Sequence, residues 1–517
     1  MNITEFKNEV YTDFTKEENK KKMEEALTKV QAELGKEYDL IIGGERVKTK
    51  DKFKSINPSE KDEIVGVFQK AGKEEGEKAM AVALKTFEDW RFVPAEERAT
   101  CLFRMANIMR RRKYELSAWM ILEVGKNWAE AEADVAESID FLDFYGREML
   151  RYSAPQPLTP YAGEVNELFY IPLGVGVVIP PWNFPLAILT GMTSAAFVCG
   201  NTVILKPSSD SPCIAAKFME VAEEAGVPPG VINFLTGPGS LAGEFLVGHP
   251  KTRFIAFTGS KEVGLHLVEL AAKTQPGQIW IKRIIAEMGG KDTIIVDSET
   301  VMDEAVAGVL TSAFGFQGQK CSACSRVVVV KDIYEKFVDR LVEKAKNITV
   351  GPVKDPKNYM GPVINQKAME SILEYIEIGK KEGKLLCGGE KTGSNGYFIR
   401  PTIIGDVSSK ARISQEEIFG PVLAVLKVKD FDNALEIAND TEYGLTGAVY
   451  SRNRQKLEKA RKLFYVGNLY LNRKCTGALV GVHPFGGFNM SGTDSKAGGR
   501  DYLMLFTQAK AISEKVG

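Results

Sequence analysis

The chain has 517 residues, with 67 Lys and Arg, 68 Asp and Glu, and a formal net charge of −1. Its length suits two or three domains at roughly 150 residues per domain, and its charge balance argues against a nucleic-acid or anionic-membrane partner. Seven cysteines, an odd and irregularly placed set, argue against a secreted disulfide scaffold. The charged N-terminus lacks a secretory apolar core, and no apolar run approaches the roughly 20 residues that span a bilayer. We therefore expect a cytoplasmic protein.

Helical periodicity dominates the first 150 residues. Residues 16–35 predict a charged amphipathic helix, and residues 38–47 predict a hairpin that turns at two glycines. From 72 to 152 the apolar spacing is again helical. This spacing predicts surface helices that place the basic run 110–113 on a solvated face.

The pattern changes after Pro155, where short β-branched runs alternate with helical stretches. Such alternation is typical of a parallel α/β sheet. A second α/β series begins near residue 300. The sequence therefore predicts two α/β domains with additional segments outside both.

Three glycine-rich turns follow predicted strands in the first series, at 174–176, 237–243 and 258–264. Glycine lets the backbone approach a pyrophosphate, and the N-terminus of the next helix supplies N–H donors. None has the strict dinucleotide spacing, so ordinary strand-to-helix turns remain an alternative. The third turn indicates nucleotide binding most strongly, because Ser260 can cap the following helix.

Lys206 stands where a dinucleotide fold normally places an acid for the ribose hydroxyls. Ser208 and Ser209 lie just beyond it. A lysine does not repel a 2′-phosphate, so we expect NADP to be tolerated to some degree. A solvated lysine at a strand end is the alternative.

Cys321 and Cys324 lie three residues apart in a segment of small residues. A structural zinc site needs four ligands, whereas the other five cysteines and the three histidines are scattered. A thioredoxin-like pair would open the first helix of a small βαβ domain, which does not suit a position deep in a long chain. A thiolate nucleophile at Cys321 is the favoured hypothesis, with packing favoured for Cys324.

Glu287, 34 residues before Cys321, is a candidate base that activates water. Scattered histidines give a Cys–His dyad little support. The alternative is that this glutamate, beside Met-Gly-Gly at the end of a strand, has a purely structural role.

Six motifs occur here in the order found in aldehyde dehydrogenases, and the chain resembles that family from about residue 38 to its end. They are PPWNFP (180–185), TGSKEVG (258–264), EMGGK (287–291), GQKCSA (318–323), EEIFGPV (416–422) and HPFGG (483–487). The resemblance implies a Rossmann-like NAD-binding domain, a second α/β catalytic domain and a small oligomerisation hairpin and tail.

The resemblance also implies a mechanism. The Cys321 thiolate attacks an aldehyde, the Asn183 amide and the Cys321 N–H hold the oxyanion, a hydride passes to NAD, and Glu287 activates water to release the acid. The cofactor contacts that it implies are Trp182, Lys206, Ser208, Gly259, Ser260, Glu417 and Phe419.

Two stretches, 314–323 and 472–493, resemble the family branch that oxidises glutamate semialdehyde to glutamate in proline breakdown. By that resemblance, Ser322 and the N–H groups of Gly477 and Ala478 hold the charged tail of the substrate, and Phe184 and Phe485 enclose its aliphatic stem. A tight loop with no substrate role is the alternative for 476–478. Other semialdehyde dehydrogenases, such as one acting on succinate semialdehyde, and a non-catalytic protein with the same fold are the competing functions.

The resemblance implies the following division of the chain and a homo-oligomer, with a small-molecule substrate and no metal. Residues 1–36 form a helical arm, 37–152 and 173–286 the NAD-binding domain, 287–472 the catalytic domain, 473–489 a substrate-anchor loop, and 153–172 with 490–517 the oligomerisation segments. Cys324 departs from the usual Ala or Gly of the branch. We hypothesise that a disulfide between Cys321 and Cys324 inactivates the enzyme reversibly under mild peroxide.

Overall fold

The structure, a computed structural model, describes residues 4–393 and 395–516. Its N-terminal part combines a small sheet with a series of helices. The small sheet has the strand order β1-β5-β4, and residues 40–47 form the predicted hairpin, in which β2 and β3 pair antiparallel. The elements are α1 (Glu17–Gln31), β1 (Lys36–Tyr38), β2 (Leu40–Ile42), β3 (Glu45–Val47), β4 (Lys52–Ile56), β5 (Ile64–Gln69), α2 (Lys73–Trp90), α3 (Ala95–Arg111), α4 (Lys113–Val124) and α5 (Trp128–Ser153).

The prediction of a solvated basic face at 110–113 holds for Arg111, which is exposed, but is wrong for Lys113. Lys113 is 8% exposed, and its ammonium pairs with Glu9 at 3.2 Å and with Glu132 at 3.0 Å. Arg110 pairs with Glu9 at 2.8 Å. The N-terminal segment lies over these helices and supplies carboxylates that the local sequence pattern does not reveal.

The first large sheet has seven strands in the order β11-β10-β7-β8-β9-β2-β3. Its central strands are parallel, and β2 joins antiparallel to β9. Its buried strands are rich in β-branched residues, as expected for a sheet covered on both faces. The elements that complete it are β6 (Glu164–Pro172), β7 (Val175–Ile179), α6 (Ala187–Val198), β8 (Thr202–Leu205), α7 (Pro212–Glu224), β9 (Ile232–Phe234), α8 (Glu244–Gly248), β10 (Phe254–Thr258), α9 (Lys261–Ala272) and β11 (Arg283–Glu287).

The second large sheet also has seven strands, in the order β14-β17-β18-β13-β12-β20-β21. It is parallel except for β14. The first half of its series comprises β12 (Asp292–Val296), α10 (Met302–Phe314), β13 (Cys324–Val330), α11 (Tyr334–Lys346), α12 (Gln366–Glu382), β14 (Lys384–Cys387), β15 (Lys391–Thr392), β16 (Phe398–Ile399), β17 (Thr402–Gly405) and α13 (Arg412–Gln415).

The chain then completes the second sheet and returns to the first half of the molecule. The remaining elements are β18 (Val422–Val428), α14 (Phe431–Asn439), β19 (Tyr443–Gly444), β20 (Thr446–Tyr450), α15 (Arg454–Leu463), β21 (Asn468–Leu471), β22 (Phe488–Asn489) and β23 (Thr507–Lys515). Strand β23 pairs antiparallel with β6 in a separate two-stranded ribbon, from Thr507 opposite Pro172 to Lys515 opposite Glu164. The predicted α/β fold with two parallel sheets is confirmed.

Across residues 4–393 and 395–516, no helix is long and apolar enough to cross a membrane. The same residues include no group of three or more His, Cys, Asp or Glu side chains arranged to hold a metal ion.

Candidate active site

Cys321 lies half-buried at the end of a tight turn that follows α10. Phe316 and Gln317 there have φ values of 48° and 57°, a left-handed conformation that costs non-glycine residues energy unless their surroundings hold it. The Gln317 amide supplies that support by donating to Gly125 O at 3.1 Å and to Pro362 O at 2.8 Å. The turn therefore fixes the cysteine through contacts from distant parts of the chain.

Burial raises the pKa of the Cys321 thiol well above its ordinary value, and the carboxylates of Asp292, Glu417 and Glu287 raise it further. The backbone N–H of Ser322 acts in the opposite direction. These surroundings favour the neutral thiol, and a nearby positive charge would promote the reactive thiolate.

Asn183 follows β7 and is 4% exposed. Its Nδ2 donates to Gln319 O at 3.0 Å, which anchors the side chain to the turn of the nucleophile. An amide nitrogen carries two protons, so one N–H remains to stabilise an oxyanion. Asn183 and Cys321 both line one cleft of about 1060 Å³.

The same cleft is lined by every residue predicted to contact the cofactor: Trp182, Lys206, Ser208, Gly259, Ser260, Glu417 and Phe419. Ser260 caps α9, where its hydroxyl accepts the N–H of Val263 at 3.4 Å. A side chain at position 259 would meet the Phe257 ring at 2.5 Å. This turn therefore presents bare backbone and a helix N-terminus to the cleft, which suits an anionic group.

Lys206 is 4% exposed, and its ammonium donates to Pro207 O at 3.0 Å. Burial lowers its pKa to about 8. Lys206 lines the cleft, and its burial contradicts the alternative of a solvated strand-end lysine. Its contact with the cofactor stays a prediction.

Trp182 and Phe419 form an edge-to-face contact with ring centroids 5.5 Å apart. Phe419 has a φ of 56°, so its backbone is held in the left-handed region. Glu417 Oε1 accepts the N–H of Gly290 at 3.1 Å, and burial raises the Glu417 pKa to about 7. These three residues form one wall of the cleft.

Glu287 ends β11 and is not among the residues that line this cleft. Its carboxylate accepts the hydroxyl of Ser495. Burial raises the Glu287 pKa to about 8, against the lowering effects of Ser495, Lys496 and the Gly487 N–H. The candidate base is therefore near Cys321 electrostatically but is turned toward the C-terminal segment.

The five residues predicted to hold the substrate do not line the cofactor cleft. Ser322 is buried, and its carbonyl accepts the Cys475 thiol at 3.3 Å, which joins the nucleophile turn to the loop at 473–489. In that loop, Gly477 has a φ of 74° and Ala478 follows it. Phe485 exchanges two 2.8 Å backbone hydrogen bonds with Ala497.

Phe184 packs beneath the Lys126 ammonium, which lies 4.1 Å from the ring centroid. Lys126 forms a 2.8 Å ion pair with Asp134, and both side chains are fully buried. Lys320, next to the nucleophile, pairs with Glu130 at 2.7 Å. This charged layer was not predicted from the sequence. Its available signal was the spacing of Glu130, Asp134 and Glu137, which places three carboxylates on one face of α5.

Cys324 is buried at the start of β13. Its thiol donates to Arg326 O at 3.2 Å, and Cys475 is the neighbouring thiol that acts on it electrostatically. Burial and Cys475 raise the Cys324 pKa well above its ordinary value. Cys475 is therefore a second candidate disulfide partner for Cys324, in addition to the predicted partner Cys321.

Comparisons with known proteins agree with this geometry. The sequence profile described as "Aldehyde dehydrogenase family" matches residues 46–512. A 1-pyrroline-5-carboxylate dehydrogenase of Geobacillus sp. (strain WCH70) is 60% identical over 512 residues, which cover 99% of each chain. The structure of a mutant 1-pyrroline-5-carboxylate dehydrogenase of Thermus thermophilus superposes with a TM-score of 0.98 at 54% identity over 100% of both chains. A Thermus 1-pyrroline-5-carboxylate dehydrogenase solved with bound NAD gives a TM-score of 0.98 at 53% identity, again over 100% of both chains. The chain belongs to the aldehyde dehydrogenase family.

Proposed function

We propose that this enzyme oxidises L-glutamate 5-semialdehyde, which forms from 1-pyrroline-5-carboxylate, to L-glutamate with NAD as the oxidant, in proline degradation. The reaction type is supported by one cleft that holds Cys321, Asn183 and the helix N-terminus at Ser260. The substrate is supported by the names of full-length relatives at 60% and 59% identity.

The fit of NAD rests on the cleft itself. Position 259 admits no side chain beside the Phe257 ring, which leaves the backbone free to approach a pyrophosphate. We propose that Lys206 and Ser208 hold the adenosine ribose, that Gly259 and Ser260 hold the pyrophosphate, and that Glu417 holds the nicotinamide ribose. Trp182 and Phe419 shape the wall of the cleft. When bound, NAD supplies a hydride acceptor and a positive charge.

The residues of this chain perform the remaining chemistry. The Cys321 thiol loses its proton to solvent water and the thiolate attacks the aldehyde carbon. The second N–H of the Asn183 amide and the backbone N–H of Cys321 stabilise the oxyanion that forms. After oxidation the acyl group remains on Cys321 as a thioester. Glu287 then removes a proton from water, the hydroxyl adds to the thioester carbon, and Cys321 leaves as a thiolate.

An amino-acid substrate brings a carboxylate and an ammonium group. We propose that Ser322 with the N–H groups of Gly477 and Ala478 takes the carboxylate, and that Phe184 and Phe485 contact the aliphatic stem. Glu137, on the acidic face of α5, is a candidate for the ammonium group. Burial together with Asp134 and Asp140 raises the Glu137 pKa to about 8, so a substrate cation would stabilise its ionised form.

We propose a homo-oligomer that pairs through the β6–β23 ribbon. Support comes from the exposed apolar side chains Val165 and Ile512 on this ribbon, 48% and 39% exposed.

A cytoplasmic location is proposed because all seven cysteines are free, as in a reducing compartment. The division of the chain given by the resemblance is proposed unchanged, with cofactor (37–152, 173–286), catalytic (287–472), anchor-loop (473–489) and oligomerisation (153–172, 490–517) segments.

The decisive measurement is NADH formation with 1-pyrroline-5-carboxylate beside succinate semialdehyde, for the parent enzyme and Cys321→Ala. We expect kcat/KM to favour 1-pyrroline-5-carboxylate by at least about tenfold, because a site built for charged groups rejects a substrate that lacks one of them. Cys321→Ala should show no turnover with either. A preference for succinate semialdehyde would establish the alternative substrate, and no NADH with several aldehydes would indicate a non-catalytic protein.

A further inference from the structure

The C-terminal segment that follows β22 contributes to the surroundings of the catalytic base. Residues 491–496 run beside the end of β11, where Thr493 N donates to Ala286 O at 2.9 Å and Ala286 N donates to Thr493 Oγ1 at 3.0 Å. Glu287 itself forms an antiparallel bridge with Gly492. The segment is therefore fixed in register against the strand that carries the base.

That register brings a donor to the Glu287 carboxylate. The Ser495 hydroxyl donates to Oε1, and the nearby Gly487 N–H also favours the ionised carboxylate. Lys496 lies next in the chain, and its ammonium donates to Gly467 O at 2.7 Å and to Gly486 O at 2.5 Å. Glu287 Oε2 has no hydrogen-bond partner within the part of the chain that the structure describes.

We propose that Ser495 is a positioning residue that holds the Glu287 carboxylate at the end of β11 and stabilises its ionised form for hydrolysis of the thioester. The inference deepens the proposed function and rests on it. The Ser495 hydroxyl occupies Oε1, so Oε2 is the oxygen available to take the proton of the attacking water.

The held carboxylate is close enough to the nucleophile to act on it, because it is one of the charges that raise the Cys321 pKa. Once the sulfur is acylated it carries no charge, so the ionised base meets no repulsion from a thiolate. Orientation of the base by Ser495 therefore serves the last step, hydrolysis of the thioester.

The groups that face Glu287 act in both directions. Ser495, Lys496 and the Gly487 N–H favour the ionised carboxylate, whereas burial and Asp494 oppose it. Cys321, Lys496 and Tyr502 are the titratable groups whose own pKa values Glu287 raises. Loss of the Ser495 hydroxyl removes a donor to the charged form, so it must move the titration of the base to higher pH.

The test isolates hydrolysis of the acyl-enzyme. A p-nitrophenyl ester acylates the Cys321 thiolate and releases p-nitrophenolate in a burst, and the steady rate that follows is thioester hydrolysis. We would measure this rate against pH for the parent, Ser495→Ala, Ser495→Thr and Glu287→Gln. We expect the rising limb to move up by about one pH unit in Ser495→Ala, since that unit corresponds to about 1.4 kcal/mol, close to the usual contribution of a hydrogen bond to a charged group.

Ser495→Thr keeps the hydroxyl and should restore the parent profile, and Glu287→Gln should lose the limb. Lys496→Met should move the limb in the same direction, which keeps the test available if Ser495→Ala does not fold. The proposal would be overturned if the rising limb of the pH profile stayed in place in both Ser495→Ala and Lys496→Met. It would also be overturned if the hydrolysis rate fell by the same factor at every pH. If the parent enzyme does not oxidise 1-pyrroline-5-carboxylate but hydrolyses the ester with a normal pH profile, only the proposed substrate is refuted.

Discussion

Asn183 Nδ2 donates to Gln319 O at 3.0 Å, two residues before Cys321. This bond ties the proposed oxyanion donor to the turn that carries the nucleophile, so both move as one unit. Preorganised donors of this kind reduce the barrier because they need no reorientation when charge develops.

We therefore expect Asn183→Ala to lower kcat by about 10²–10³-fold, the usual effect of losing one oxyanion donor. Steady-state NADH formation with 1-pyrroline-5-carboxylate measures it. Asn183→Asp is the matched control: it keeps the shape but brings negative charge to the oxyanion, and should be at least as slow. An Asp variant faster than the Ala variant would contradict the role.

The buried ion pair of Lys126 and Asp134 should be critical for stability. Asp134→Asn retains an acceptor for Ala187 N, which Asp134 Oδ1 binds at 2.6 Å, but leaves the Lys126 charge unpaired. We expect a loss of about 3–5 kcal/mol in the free energy of unfolding, measured by urea denaturation. The double variant Lys126→Met with Asp134→Leu should recover most of it, and an equally unstable double variant would argue against uncompensated charge as the cause.

Cofactor choice should reflect Lys206. Because its charge does not repel a 2′-phosphate, we expect measurable turnover with NADP at a lower kcat/KM than with NAD. No measurable turnover with NADP would refute this. Burial lowers the Lys206 pKa to about 8, so the free enzyme loses this cation as pH rises through that value, and the KM for either cofactor should rise there. In Lys206→Met that rise should disappear.

Oxidation should follow the sulfur geometry. Cys475 is the neighbouring thiol that acts on Cys324, so a peroxide that reaches the pair should oxidise the two thiols to a disulfide, releasing water. The bond would pull on Ser322, whose carbonyl accepts the Cys475 thiol at 3.3 Å, and should reduce activity until a thiol reductant is added. Cys324→Ala and Cys475→Ala should both resist reversible loss; peptide mapping that finds Cys321 joined to Cys324 would favour the original hypothesis.

The N-terminal segment should influence substrate affinity through the loop at 473–489. Asn8 Nδ2 donates to Val480 O at 2.9 Å and to Asp140 Oδ2 at 2.8 Å, which bridges the loop to α5. We expect Asn8→Ala to raise the KM for 1-pyrroline-5-carboxylate several-fold, because an unpaired buried carbonyl loosens the loop. The KM for a simple aldehyde such as propanal should stay the same, and a parallel rise for both would indicate a general loss of structure.

The sequence alone determined the features that depend on neighbours along the chain. The Ser260 cap, the hairpin at 40–47 and the alternation of strand and helix all arise from local hydrogen bonding and side-chain periodicity. The family resemblance, carried by six ordered motifs, also singled out Cys321, Asn183 and other residues that line one cleft. These predictions needed no knowledge of distant contacts.

Only the tertiary structure decided the features that join distant segments. Lys113 looked solvated in its own helix, yet the fold brings Glu9 and Glu132 to it. Ser495 and Cys475 carry no local signal, but their contacts with Glu287 and with Cys324 cross more than one hundred residues of chain. Burial and long-range charge set the pKa of a side chain, and neither quantity exists until the chain has folded.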